Sequence, residues 1–182
     1  MRKSLLRSLI VGATTVATTM LLAGGVAMAT DYGTENDPVQ TASAPGTVHV
    51  LVTKLTHAQA TSMLRAAGIT WSSSGGCSDR NTPTCTSFEQ VNQATIQGAI
   101  TLKGASGCAL NITGGTETGH ASGTYSHWNG YKLDFGLSSC LTNYIRGNFT
   151  SIGGSQWQSA AGNIYYLESN HWDVTYYNCG GC

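Results

Sequence analysis

Charge is scarce in this sequence. Only 10% of its 182 residues are Asp, Glu, Lys or Arg, against about 25% in an ordinary globular chain. What positive charge exists is unevenly placed, with Arg2, Lys3 and Arg7 crowded into the first seven residues. Without residues 1–29 the nine basic residues fall to six while all nine acids remain, a net charge of −3, and no basic run survives. Nucleic acid and anionic membrane surfaces are therefore excluded as partners. Internal repeats are lacking too. The length suits one domain and leaves a second cramped. Gly, Ser, Thr and Asn fill the space that charge leaves, which predicts many turns and polar loops.

The long apolar stretch is at the start. Residues 8–26 are mostly small and apolar, and Ala27-Met28-Ala29 is a small-x-small cleavage pattern. Behind a basic start this reads as a signal peptide over 1–29, with no stable membrane insertion after cleavage. A single membrane anchor is the competing reading. Residues 30–46 carry Pro38, Pro45 and scattered acids without periodicity and read as a flexible linker, so the folded domain is expected from 47 to 182. All six cysteines fall in that domain. An even count behind an export signal predicts disulfides, and nearness in sequence suggests Cys77–Cys85, Cys108–Cys140 and Cys179–Cys182. Zinc on Cys179-Gly-Gly-Cys182 competes with the last pairing, but no second CxxC supplies further ligands.

Periodicity gives the elements. His49–Thr53 alternates weakly, as a short strand would. Thr56-His57-Ala58-Gln59 is a capping box, followed by Ala60, Met63, Leu64 and Ala67 on one helical face and Gly68 to end it. Ser87-Phe88-Glu89-Gln90 repeats the box before Phe88, Val91, Thr95, Ala99 and Leu102 at helical spacing, with Gly104 and Gly107 to end that helix. Between the two, Trp71–Thr86 reads as a loop. The period then alternates. Strands are expected over Cys108–Thr113 and residues 131–135, a short helix over Ser138–Arg146, a hairpin of Gln156–Ser159 with Asn163–Glu168, and a last strand over His171–Tyr177. Two N-terminal helices packed on a small, mostly antiparallel sheet make an α+β domain.

Chemistry gathers in two stretches, Ser126-His127-Trp128-Asn129-Gly130-Tyr131-Lys132-Leu133-Asp134 and Glu168-Ser169-Asn170-His171-Trp172-Asp173. If Tyr131, Leu133 and Phe135 face a core, Asp134 faces away from it. His127 sits just before that strand, across Gly130, where the chain can turn tightly. His171 and Asp173 share a face of the last strand, and Glu168 ends the strand before. Two histidines and up to three carboxylates on one surface suit Zn²⁺, whose catalytic sites use three protein ligands and keep one position open. His49 and His57 read instead as surface or cap residues.

The ordered pair Ser-His-x-x-Gly-x-x-x-Asp and Glu-x-x-His resembles the zinc D-alanyl-D-alanine peptidases. That group includes carboxypeptidases, dipeptidases and phage L-alanyl-D-glutamate endolysins, and it shares a fold with the Hedgehog signalling domain. The resemblance covers roughly residues 106–177. It implies His127, Asp134 and His171 as zinc ligands, Glu168 as general base and peptidoglycan peptides as substrate. Two departures stand out. The family's Ser-Gly-Tyr-Arg-like turn reads Thr113-Gly114-Gly115-Thr116-Glu117 here, without Arg, leaving Glu117 and His120 as the nearest polar candidates for substrate binding. The position two after the last ligand, a further His in some relatives, is Asp173, which can orient a ligand, grip a substrate ammonium or be a plain edge-strand residue. His120 is a candidate donor to a developing oxyanion. Trp128 is a candidate wall of a substrate groove, as is Trp172, and both can equally be packing.

The functional expectation is an exported bacterial zinc peptidase acting as a monomer on cell-wall peptides. The alternative is a non-catalytic wall-binding module on the same fold, which the missing Arg favours and the retained Glu168 opposes. A third possibility is a disulfide-stapled domain without metal.

Overall fold

The computed structural model describes residues 52–177, together with two short strands, β1 (Thr30–Tyr32) and β2 (Pro38–Gln40), which pair antiparallel. The expected signal peptide and the Cys179–Cys182 pair lie outside the described residues, as do most of the expected linker and of the strand at His49–Thr53.

Strand β3 (Lys54–Leu55) leads into α1 (His57–Ala66). The capping box is formed in full: Thr56 Oγ1 accepts from the Gln59 amide and Gln59 Oε1 accepts from the Thr56 amide. At the other end the Gly68 amide donates to Arg65 O and the Ile69 amide to Leu64 O, with Gly68 at φ +69°. This is a Schellman closure, and the apolar contact such a closure brings is between two buried side chains, Leu64 and Ile69.

The second box does not open a helix. Val91–Asn92 forms strand β5 against β3, and α2 (Gln93–Ser106) starts only after it, with Asn92 at the N-cap making no side-chain cap bond. The residues of the box have other partners. The Ser87 amide donates to Glu117 Oε2, the Gln90 amide donates to Leu55 O, and Glu89 Oε2 accepts from the His57 amide, so this carboxylate serves the start of α1. Tertiary pairing outweighs a local cap of about 1 kcal/mol. Gly104 lies inside α2, and Gly107, left-handed at φ +66°, ends it.

The main sheet has seven strands in the order β4 (Thr70–Trp71), β6 (Asn111–Gly114), β7 (Lys132–Gly136), β11 (His171–Thr175), β10 (Ile164–Leu167), β9 (Gln156–Gln158) and β8 (Thr150–Gly153). Only β4 and β6 run parallel. Helix α3 (Ser139–Asn148), capped by Ser138, links β7 to β8. The architecture is α+β, as expected. Strands β4 and β8 are additions to the expected set; the first falls at the start of the stretch read as a loop. The disulfides Cys77–Cys85 and Cys108–Cys140 form as expected. Among the described residues no helix is long and apolar enough to cross a membrane.

The core lies on one face of the sheet. Leu133 and Phe135 of β7 stand directly opposite Val174 and Trp172 of β11, and all four are buried with Leu64, Ile96, Ala99 and Leu102 from the helices. The other face of the same strands is buried as well. Lys132 is 1% exposed and Asp134 5%, where the alternation by itself predicts only one covered face. His120 and His127, from the segment 115–129, lie against Asp134 there.

Candidate metal centre

The polar face is fixed by strand register. Asp134 on β7 lies directly opposite Asp173 on β11, and Lys132 opposite Thr175. His171, on the same face, begins β11. Glu168 sits in the turn between β10 and β11, its amide donating to His171 O.

From this floor the side chains converge on one carboxylate. Asp134 Oδ1 is 3.2 Å from His127 Nε2 and 3.5 Å from His171 Nε2, and Asp134 Oδ2 is 3.8 Å from His120 Nδ1. Each imidazole has its other nitrogen engaged by an acceptor. His127 Nδ1 is 2.6 Å from Gly115 O, His171 Nδ1 is 2.7 Å from Asn170 Oδ1, and His120 Nε2 is 3.3 Å from Glu117 Oε1. If those nitrogens carry the protons, the lone pairs of all three rings are left for the space around Asp134, the arrangement that orients histidines on a metal.

Two further observations fit a cation. His127 Nε2 and Asp134 Oδ1 are both buried and face each other at 3.2 Å, yet neither makes a hydrogen bond of good geometry, although buried polar atoms seldom go unsatisfied. Ligand atoms of His120, His127 and Asp134 all lie within 4.8 Å of one another, so this group can hold a metal ion.

The electrostatics favour positive charge. Burial alone lowers the His127 pKa, but Asp134 and Asp173 outweigh it and hold the imidazole well above its ordinary value. Burial likewise raises Asp134, and the two histidines beside it bring the net shift down. Without metal, a proton on His127 fills the role that a dication takes when bound.

The remaining sequence candidates fall in four places. Glu168 Oε2 is 3.4 Å from His171 Nε2, with its side chain 21% exposed, at the edge of the cluster. Glu117 and Asp173, expected as substrate contacts, are each only 3% exposed. Glu117 accepts from the Ser87 and Gly115 amides, and burial raises its pKa less than these bonds and His120 lower it. Asp173 Oδ2 is 3.0 Å from Lys132 Nζ and 3.5 Å from His127 Nε2. Asp173 is tied to Lys132 and His127 under the site, whereas Glu117, held by those amides, also lines the cavity beside His120. Trp128 is 43% exposed, with Arg80 stacked on its ring at 3.7 Å, at the rim of a cavity of about 270 Å³ that Glu117, His120, Ser126 and Asn129 also line. Trp172 is core, fully buried, its indole donating to Thr142 Oγ1. His57 accepts from the Phe88 amide and stacks on that ring, the structural role expected of it.

Glycines 114 and 115 make the close packing possible. A Cβ on Gly114 would fall 2.2 Å from Asp134 Oδ2, and one on Gly115 would fall 2.0 Å from Ser87 O. Sequence reasoning marked this turn only for its missing Arg. It also left Lys132 without a role, although Lys132 shares the alternation phase of Asp134. No family model, curated protein or solved structure matches the chain.

Proposed function

We propose that this protein is an exported bacterial zinc peptidase that hydrolyses peptide bonds in the stem peptides of peptidoglycan, with the Hedgehog and D-alanyl-D-alanine peptidase fold. The observation that carries the reading is the unsatisfied His127 Nε2, buried 3.2 Å from an Asp134 oxygen that His171 Nε2 also approaches, at 3.5 Å. Tetrahedral zinc with bonds of about 2.0–2.1 Å has ligand atoms about 3.3 Å apart, so both separations suit it; His171 reaches the group through Asp134, outside the trio of His120, His127 and Asp134 whose ligand atoms all lie within 4.8 Å of one another. His127, Asp134 and His171 are the ligands in this reading. His120 is less suited in its present pose. Its ring stacks on His127 at 3.8 Å and 18°, and near-parallel rings direct their lone pairs along separate planes.

Zinc in such a seat supplies Lewis acidity and brings the pKa of a bound water down to about 7. The chain supplies the rest. Glu168, at the solvent edge beside His171, takes a proton from the attacking water and returns it to the leaving amine. His120, its Nε2 held by Glu117, lines the cavity and can donate to the carbonyl oxygen as charge develops there only when Nδ1 also carries a proton. Trp128 offers an exposed aromatic wall to the peptide.

The test is Glu168→Gln assayed on muropeptides, with zinc content measured alongside. Turnover is expected to fall by about 10²–10⁴-fold while the metal stays bound. Unchanged turnover would remove Glu168 as the base. A wild-type protein that binds zinc and wall peptide but cuts nothing would point to the binding module instead.

A further inference from the structure

Asp173 poses a problem for an open metal site. Its Oδ2 lies 3.5 Å from His127 Nε2, nearly as close as Asp134 Oδ1 at 3.2 Å. The two aspartates stand directly opposite each other on β7 and β11 and are both buried. By distance alone Asp173 is a candidate fourth ligand. Four protein ligands close a zinc site, whereas hydrolysis needs one position left for water.

Of the two carboxylates, Asp173 is the one paired with Lys132. Its ammonium, buried on the same face, lies 3.0 Å from Asp173 Oδ2, the very oxygen nearest His127. We infer that Lys132 is a positioning residue: it holds Asp173 away from the cation and so keeps the fourth coordination position open. The inference rests on the metal reading above and adds a specific job for a residue two positions before a ligand. A neutral side chain of similar length cannot do that job. Without the ammonium, Asp173 gains most by turning to the cation, since a buried carboxylate without a positive partner is costly.

Cobalt(II) is the probe, because its visible bands report both coordination number and exchange at an open position. In the full-length wild-type protein, one cobalt is expected to bind and azide to shift its bands. Lys132→Met is expected to bind cobalt at least about tenfold more tightly and to lose the azide response. Lys132→Met/Asp173→Asn is expected to recover the response, and Lys132→Arg to keep it. A second comparison does not depend on the Lys132→Met chain folding. Asp173→Asn should hold cobalt affinity within about tenfold of wild type, whereas Asp134→Asn should lose more than about 100-fold; the dividing range is that of groups adjoining a ligand set. An undiminished azide response in folded Lys132→Met, or a loss in Asp173→Asn as large as in Asp134→Asn, overturns the inference. Failure of the wild-type protein to bind cobalt or zinc at all would instead remove the metal reading, and this inference with it.

Discussion

The two faces of β7 and β11 are both largely buried and held together by opposite means. On one face Leu133, Phe135, Trp172 and Val174 are fully buried and gain by leaving water. On the other, Lys132, Asp134, Asp173 and His127 are buried to within a few per cent, and each loses hydration that only a partner can replace. The apolar face is stable by itself. The polar face is stable only as a set, and its least satisfied atoms lie in the group that can hold a metal ion. Alternation along one strand can therefore encode a core and a site at once, provided another segment roofs the second face.

Truncation on the apolar face should give the largest effect. Phe135→Ala is expected to cost about 3–5 kcal/mol in urea unfolding, with zinc uptake by the folded fraction unchanged. Equal loss of metal binding would mean that the two faces are not separable.

A pH series is the next sharpest probe, and the two faces should respond differently. The His127 pKa in the folded, metal-free protein is raised above 6.5, so its contribution is complete below that value and is lost as pH rises through the folded pKa. Asp134 is lowered below 3.8, so its contribution is present above that value and is lost as pH falls through the folded pKa. Metal-free protein should thus be most stable between about pH 4 and 6.5 where these two groups dominate. Zinc reverses the upper limb, because it must displace the His127 proton. Affinity should rise about tenfold per pH unit up to the folded His127 pKa. Thermal melts from pH 4 to 9, with zinc and with chelator, should converge at low pH and separate as pH rises; parallel curves would show that metal and proton do not compete.

The smallest effect belongs to a control away from both faces. Thr56→Ala removes the cap of α1 and should cost about 1 kcal/mol, with no change in zinc affinity. Equilibrium unfolding and a zinc titration read the two separately.

The elements nearest the site were the most legible. The alternation of 131–135 and 171–177, the Ser138 cap and the hairpin around residues 160–162 all lie in the sequence as local signals. Helix α1 was legible because its capping box and closing glycine serve the helix alone. The box at Ser87–Gln90 misled because its polar groups are spent on Glu117, Leu55 and His57, contacts 30 or more residues away. Three of the site candidates, His127, Asp134 and His171, were legible from spacing, and Asp134 does stand close to both histidines. The framework under them was not. Lys132 looked solvent-facing because a strand pattern cannot report what covers its second face. The burial of Asp173 was hidden for the same reason. The glycines at 114 and 115 are informative only once Asp134 and Ser87 are known to press against them.

The contact between Ser87 and Gly115 has a practical bearing on how the molecule may be cut down. Ser87 donates its amide to Glu117 and accepts from the Thr116 amide and hydroxyl, while Gly115 O takes the His127 ring. The motif-bearing stretch of roughly residues 106–177 therefore carries every proposed ligand yet lacks the peptide group that shapes their roof. A fragment trimmed to those motifs would keep the signature and forfeit the geometry, and a piece that keeps the roof must reach back at least to Ser87.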